Sequence, residues 1–315
     1  MDLILLFPGQ GSQKPGMGKD IAAAIPAAHD VFARADAALG ESLSALCFDG
    51  PADTLTLTHN AQPALLMHGA AIWSTVAERA RPYVRAAAGH SLGEFTAWHA
   101  TGGLALEDAV RLVRRRGQLM YDTGVARPGS MAAILGDPPE PVDAYCAQAS
   151  VAADGGLVVA ANYNCPGQVV ISGEARGVDK AIELMKAAGL KRAMKLNVSG
   201  AFHSPLMAPA RDGLADALRS TTILTPFVPV YANVTALPVR DPEEGRRLLV
   251  EQLTSPVRWE ELVRRLTIDF PRALFVEMGP GTVLAGLVRK IAPDAQTLSC
   301  GTASDIEQLL SRLPA

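Results

Sequence analysis

What this chain has little of narrows its class first. Cysteine is scarce: four in 315 residues, at Cys47, Cys146, Cys165 and Cys300. Their spacing makes neither a metal-binding pair nor a disulfide framework, so a reducing compartment is expected. There is no basic excess either. Lys and Arg number 29 against 32 Asp and Glu, a net charge of −3. General nucleic-acid binding needs a basic surface, and this balance argues against it. Aromatic residues make up only 5%, which with the alanine-rich segments points to close helix–sheet packing. No apolar run reaches the roughly 20 residues of a membrane span. The opening stretch, Met1-Asp2-Leu3-Ile4-Leu5-Leu6-Phe7-Pro8, is apolar but short. It carries no basic leader and no small-residue cleavage site, so it reads as a core strand and not a signal peptide. The expectation is a soluble, cytoplasmic protein with no membrane or nucleic-acid partner and no metal.

What is present begins with Ala86-Ala87-Ala88-Gly89-His90-Ser91-Leu92-Gly93-Glu94. A buried strand runs into a glycine-flanked serine and then into a helix, the pattern of a nucleophile elbow. Glycines on both sides let neighbouring backbone approach, and the strained turn holds Oγ clear of the sheet. The helix that follows aims free N–H groups at whatever reacts there. A plain Gly-Ser-Gly turn is the competing explanation.

Leu3 to Phe7 reads as a central parallel strand ending in Pro8-Gly9-Gln10-Gly11-Ser12-Gln13. Loops at that end of an open α/β sheet line ligand crevices. Residues 18–80 read as largely helical and Val84–Ala88 as a second core strand. Rhythm changes near Gly124. From there the chain reads strand (131–136), helix (142–149), strand (157–164), strand (168–172), helix (178–188), strand (192–198). That order is the split-βαβ, ferredoxin-like pattern, so an inserted small domain is placed at 127–198, inside a main domain of 1–126 and 199–315. The polar turn from Asn162 to Gln168 joins its middle strands, either as hairpin chemistry or as a face of the crevice. The chain returns through Ser199-Gly200-Ala201-Phe202-His203-Ser204-Pro205, where Ser204 and Pro205 suit a helix N-cap and first position. Phe227–Ala232, Leu274–Glu277 and Thr297–Cys300 read as further strands, and 243–266 as helical.

Two side chains stand out chemically. On the helix from Leu106 to Asp122, Val110, Val113, Leu119 and Met120 share one side, and Arg111, Arg114 and Arg115 can be solvated. Arg116 lies within about 40° of Ala109 and Met120, in the middle of the apolar face. A charge there wants an anionic partner, either an internal carboxylate or a ligand. Among the six histidines, His203 is the best base for Ser91, in a glycine-containing loop ahead of a helix. His90 abuts the elbow, but its side chain is expected to diverge from Ser91. The acids between Ser91 and His203 lie mostly in helices or in the inserted domain, and none sits in a short loop after a strong core strand of the main domain, so a Ser–His dyad oriented by a neutral group is expected. Backbone N–H groups of Leu92 and Gln10 would form the oxyanion site. A guanidinium on an apolar wall beside such a serine suits an acyl group ending in a carboxylate.

These stretches, with Arg116-Gly117, Asn164 through Gly173, Gln252 through Trp259 and Glu277 through Leu284, closely resemble the malonyl-CoA:acyl carrier protein transacylase family, nearly end to end. The resemblance implies an α/β-hydrolase-like large domain with a parallel central sheet, an inserted ferredoxin-like domain, and the active site between them. It implies that Ser91 takes the malonyl group from malonyl-CoA, that His203 is its base, and that Arg116 clamps the malonyl carboxylate. Gln10 and Leu92 would supply oxyanion N–H groups. Gln252 lies where the family uses a main-chain carbonyl to hold the histidine, and Asn164 is placed among the substrate-binding residues. Phe202 in Gly-Ala-Phe-His looks like the malonyl-selective version of related polyketide acyltransferases and should leave little room for an α-methyl group. The implied reaction is ping-pong transfer to the phosphopantetheine thiol of acyl carrier protein, by a monomer, with no cofactor beyond the coenzyme A thioester. Lys186, Lys191, Arg192 and Lys195 are candidates for docking an acidic carrier. The alternatives are a trans-acting polyketide synthase acyltransferase, the transacylase component of a malonate decarboxylase, a serine esterase or thioesterase, or an inactive docking subunit.

Overall fold

The first apolar run forms β1, Leu3–Phe7, with every residue buried. Its side chains alternate between two cores: Leu3, Leu5 and Phe7 face one, Ile4 and Leu6 the other. A continuous apolar run is what a strand covered on both faces requires. The computed structural model describes residues 1–198 and 200–314. Ser199, at which the return segment and the main domain's second part were expected to begin, lies outside them, as does Ala315.

The remaining strands are β2 (Val84–Gly89), β3 (Ser130–Leu135), β4 (Val158–Cys165), β5 (Gln168–Gly173), β6 (Arg192–Lys195), β7 (Val230–Tyr231), β8 (Pro238–Val239), β9 (Leu274–Met278) and β10 (Gln296–Cys300). The large sheet has the order β10-β9-β1-β2-β7-β8. Its first five strands run parallel, and β8 closes one edge antiparallel to β7. The α/β class with a parallel centre is as expected, with that one antiparallel edge added. Helices Thr58–Ala80 and Leu106–Ala126 contribute to the core on one face. Trp259–Asp269 and Val283–Ile291 contribute to the core on the other.

Residues 130–195 build a second, wholly antiparallel sheet of order β4-β5-β3-β6. Helices Val142–Val151 and Ala175–Ala187 pack on it around Ile134, Tyr145, Ile171, Val178 and Met185. β4 is tied to the segment just ahead of helix Trp259–Asp269. Tyr163 N–H donates to the Val257 carbonyl at 2.9 Å, and Val257 N–H to that of Ala161 at 2.8 Å.

Three elements depart from the sequence reading. The strand expected over Phe227–Ala232 is only β7, because Leu224 and Phe227 give their N–H groups to Gly103 and Thr101, and Pro229 has none to give. The stretch 243–266 is two helices, Pro242–Glu251 and Trp259–Asp269. Pro256 lacks a donor and disfavours helix in the residue before it, which frees Gln252–Arg258 to reach both sheets. The strand expected over 192–198 stops at Lys195, and Leu196–Val198 turns toward a cavity between the sheets.

Candidate active site

The elbow follows from backbone contact. A Cβ on Gly89 would lie 1.9 Å from the carbonyl carbon of Gly93, and one on Gly93 would lie 2.1 Å from the Phe7 oxygen. Only glycine lets β2, β1 and the helix Gly93–Ala100 come this close. Between them Ser91 sits at φ 53°, and His203 at φ 56°. Left-handed backbone is costly for both residue types and persists where surrounding structure enforces it. At Ser91 that enforcement is visible. Asn233, just past β7, accepts the Ser91 N–H at 2.7 Å and donates to the Gly89 carbonyl at 2.8 Å.

Ser91 Oγ lies 2.8 Å from His203 Nε2, and His203 Nδ1 lies 2.9 Å from the main-chain oxygen of Gln252. A carbonyl only accepts, so Nδ1 carries the proton and Nε2 presents its lone pair to the serine. Burial pushes the His203 imidazole down to about 3, with Arg116 acting in the same direction. The ring is therefore neutral at pH 7 and competent as a base. The group that holds Nδ1 is a neutral carbonyl. Ser204 caps the turn that follows, accepting from Leu206 N–H at 3.3 Å.

Arg116 is 1% exposed, in the apolar face of its helix. Its Nη2 donates to Ser91 Oγ at 3.1 Å and to Gln252 Oε1 at 2.8 Å, and Nη1 donates to Gln62 Oε1 at 2.7 Å. Nε is buried and has no partner among the described residues. None of these acceptors is a carboxylate. Burial lowers its pKa to about 10, opposed by the charge of Glu94, so it stays cationic at neutral pH. Glu94, 1% exposed, is held off by an amide. Its Oε2 accepts from Gln252 Nε2 at 2.7 Å and from Asn233 N–H at 3.0 Å. Burial raises Glu94 to about 7 against these bonds and Arg116.

Gln10, Leu92, Phe202, Ser91, Arg116 and His203 line one cavity of about 320 Å³. Among the described residues no hydrogen bond engages the N–H of Leu92 or Gln10, while the Gln10 side chain donates to Thr58 Oγ1 at 3.2 Å. Two further placements bear on the sequence reading. Asn164 is not on the cavity wall; it bonds His90 Nε2 at 2.9 Å, and Asn162 takes the wall position. His90 also lines the cavity, although its ring turns to Asn164 and Trp259 and leaves Ser91 to His203. Gln62, Glu94 and Asn233 were not singled out as site residues. Glu94 was within view, three residues past the serine; the other two sit in contexts that carry no local signal. No cluster suited to a metal ion occurs among the described residues.

An elbow serine paired with a buried neutral imidazole, on a parallel sheet with open N–H groups beside it, defines the class of serine-dependent acyl-transferring α/β enzymes. The acyl transferase domain family matches residues 4–304. The malonyl CoA-acyl carrier protein transacylase of Bacillus subtilis strain 168 is 45% identical over 99% of this chain and 97% of its own length. A solved acyl-carrier-protein-S-malonyltransferase from Bartonella henselae superposes with a TM-score of 0.93, at 43% identity over 99% of both chains. A malonyl-transacylase solved in complex with its type II PKS acyl-carrier protein gives a TM-score of 0.92, at 38% identity over 99% of both chains. The chain belongs to the malonyl CoA-acyl carrier protein transacylase family.

Proposed function

We propose that this enzyme moves the malonyl group from malonyl-CoA to the phosphopantetheine thiol of an acyl carrier protein, for fatty acid synthesis, through a malonyl ester on Ser91. The observation that carries the reading is Arg116: a buried cation bonded only to neutral oxygens, with Nη2 3.1 Å from the nucleophile. A buried charge without an ionic partner is costly. A substrate carboxylate would neutralise it with two parallel hydrogen bonds, and a neutral acyl group would not.

In the first half-reaction His203 Nε2 takes the Ser91 proton as Oγ attacks the thioester carbon. The Leu92 and Gln10 N–H groups stabilise the oxyanion, each worth about 3 kcal/mol of barrier. The carbon–sulfur bond breaks, and the thiolate of coenzyme A leaves with the imidazolium proton. In the second, the carrier thiol gives its proton to His203 and attacks the ester, and Oγ recovers the proton. Phe202, 6% exposed on the cavity wall, crowds the malonyl α-carbon. No step calls for a cofactor.

Residues 127–198 act here as an inserted unit that walls the cleft, a role supported by their separate sheet. Lys186 on the helix, Lys191 in the connection after it, and Arg192 and Lys195 on the edge strand are exposed, and the chain leads on to the cavity wall at Leu196. An acidic carrier would dock there, although Lys195 already pairs with Asp179 at 2.6 Å. The reaction as drawn needs no group from a second copy, which is compatible with a monomer. All four cysteines are unpaired and, among the described residues, no helix is long and apolar enough to cross a membrane; both fit a cytoplasmic setting.

Intact-mass spectrometry after mixing with malonyl-CoA tests the reading. A single malonyl adduct is expected, absent in Ser91→Ala. In Arg116→Ala the preference for malonyl over acetyl should fall by at least about a hundredfold, the cost of leaving a buried charge-assisted pair unmade. Equal labelling of the native protein by acetyl-CoA and malonyl-CoA would refute the role given to Arg116.

A further inference from the structure

Glu94 takes part in no step above, yet it organises the groups that do. Its Oε2 holds the Gln252 side-chain nitrogen at 2.7 Å. That nitrogen also donates to the Ser91 carbonyl at 3.1 Å, and the amide oxygen receives Arg116 Nη2 at 2.8 Å. Reversing the amide would set N–H against N–H at Arg116 and oxygen against oxygen at Glu94 and Ser91. The same Oε2 takes the Asn233 N–H at 3.0 Å, and the Asn233 side chain grips the elbow at Ser91 N–H and Gly89 O. One carboxylate oxygen therefore reaches clamp and nucleophile through two neutral amides.

We infer that Glu94 is a positioning residue for malonyl selectivity: it fixes the Gln252 amide so that the Arg116 guanidinium stays beside Ser91 and apart from any internal acid. The inference rests on the malonyl-transfer reading. The amide spacer has a physical purpose. A direct Glu94–Arg116 pair would neutralise the cation and leave a substrate carboxylate nothing to meet. Held one amide apart, cation and anion share the site without pairing directly, and the guanidinium stays on the cavity wall beside Ser91.

The test is competitive labelling of Ser91 by malonyl-CoA and acetyl-CoA, read by intact mass, with thermal melting as the check on folding. A loss of folded protein lowers both labels together, so the malonyl-to-acetyl ratio reports positioning alone. In Glu94→Ala the ratio should fall about tenfold, equivalent to roughly 1.4 kcal/mol of discrimination. Glu94→Asp keeps the charge but withdraws the oxygen, and should fall similarly. Glu94→Gln keeps an oxygen for both N–H groups and should restore the ratio to within about threefold of native. A folded Glu94→Asp protein with the native ratio overturns the inference, as does a Glu94→Gln protein no better than Glu94→Asp. Should Glu94→Ala not fold, those two decide alone. Failure of the native protein to prefer malonyl would instead refute the reading beneath it.

Discussion

The large sheet ends strands in helix-starting turns at both its β9–β10 side and its β1–β2 side, and the two are finished in opposite ways. After β9 the first amides of helix Val283–Ile291 are filled from within: Glu277 Oε1 takes the Leu284 N–H at 3.0 Å and Oε2 the Ala285 N–H at 2.8 Å. After β10, Asp305 takes the N–H groups of Gly301 and Thr302, each at 3.0 Å, and Asp20 takes that of Ala303 at 2.8 Å. After β2 the nearby acid, Glu94, turns its bonded oxygen to Gln252 and Asn233, and the Leu92 N–H stays open to the cavity. A helix start attracts anions wherever it lies. Where the chain supplies the anion, the turn is structural. Where it withholds the anion, the turn is free for the oxyanion role proposed for the Leu92 N–H.

The largest expected effect lies on the open side. In His203→Ala the rate of Ser91 malonylation should drop on the order of a thousandfold, while the melting temperature moves by only a few degrees. Stopped or quenched mixing with mass detection, beside a melting curve, measures both. A protein that loses its fold but not its chemistry would reverse the comparison. On the closed side the expectation inverts. Glu277→Ala leaves two buried N–H groups without acceptors and should cost about 2 kcal/mol of stability in urea unfolding, with malonylation per folded molecule unchanged within about twofold. Slower acylation without lost stability would show that the closed end also serves the reaction. A smaller effect sharpens the picture of the open end. Phe202→Ala should raise methylmalonyl labelling relative to malonyl by about tenfold, as the crowding proposed for that ring requires.

How far the chain announces this division differs by residue. Arg116 was legible because a helix wheel exposes a cation among apolar neighbours, and the structure keeps it there at 1% exposure. The elbow was legible because only glycine tolerates the approach of Gly89 to Gly93. Asn233 and Gln62 were not. An amide at a strand end or in a helix is ordinary, and each acts across the chain, Asn233 on Ser91 142 positions away and Gln62 on Arg116 54 positions away. Gln252 was placed by its main-chain carbonyl alone; its side chain is equally central. Its position depends on the break at Ser255-Pro256, which splits what reads as one helix. Asn164 was placed among the substrate-binding residues by the family resemblance; register shifts in β4 accompany the placing of Asn162 on the cavity wall, while Asn164 meets His90.

The smallest expected effect concerns pH, and it rests on burial favouring the neutral form, which raises a carboxyl and lowers an imidazole. At the closed end burial raises the Glu277 carboxyl against the amides of Ala285 and Leu284 that favour its charge. At the open end burial, then Arg116, pushes His203 down to about 3. The base works only as neutral imidazole. An ordinary histidine of pKa 6.5 would be roughly one quarter neutral at pH 6; His203 stays neutral there, and Arg116, lowered only to about 10, stays charged. Glu94, raised to about 7, takes up a proton between pH 8 and 6 yet keeps an oxygen for Gln252 and Asn233. Single-turnover malonylation of Ser91 should therefore vary by less than about twofold between pH 8 and pH 6. A rate that instead falls about fourfold along an ordinary imidazole titration would mean that water reaches His203, and the open end would be open to more than its substrate.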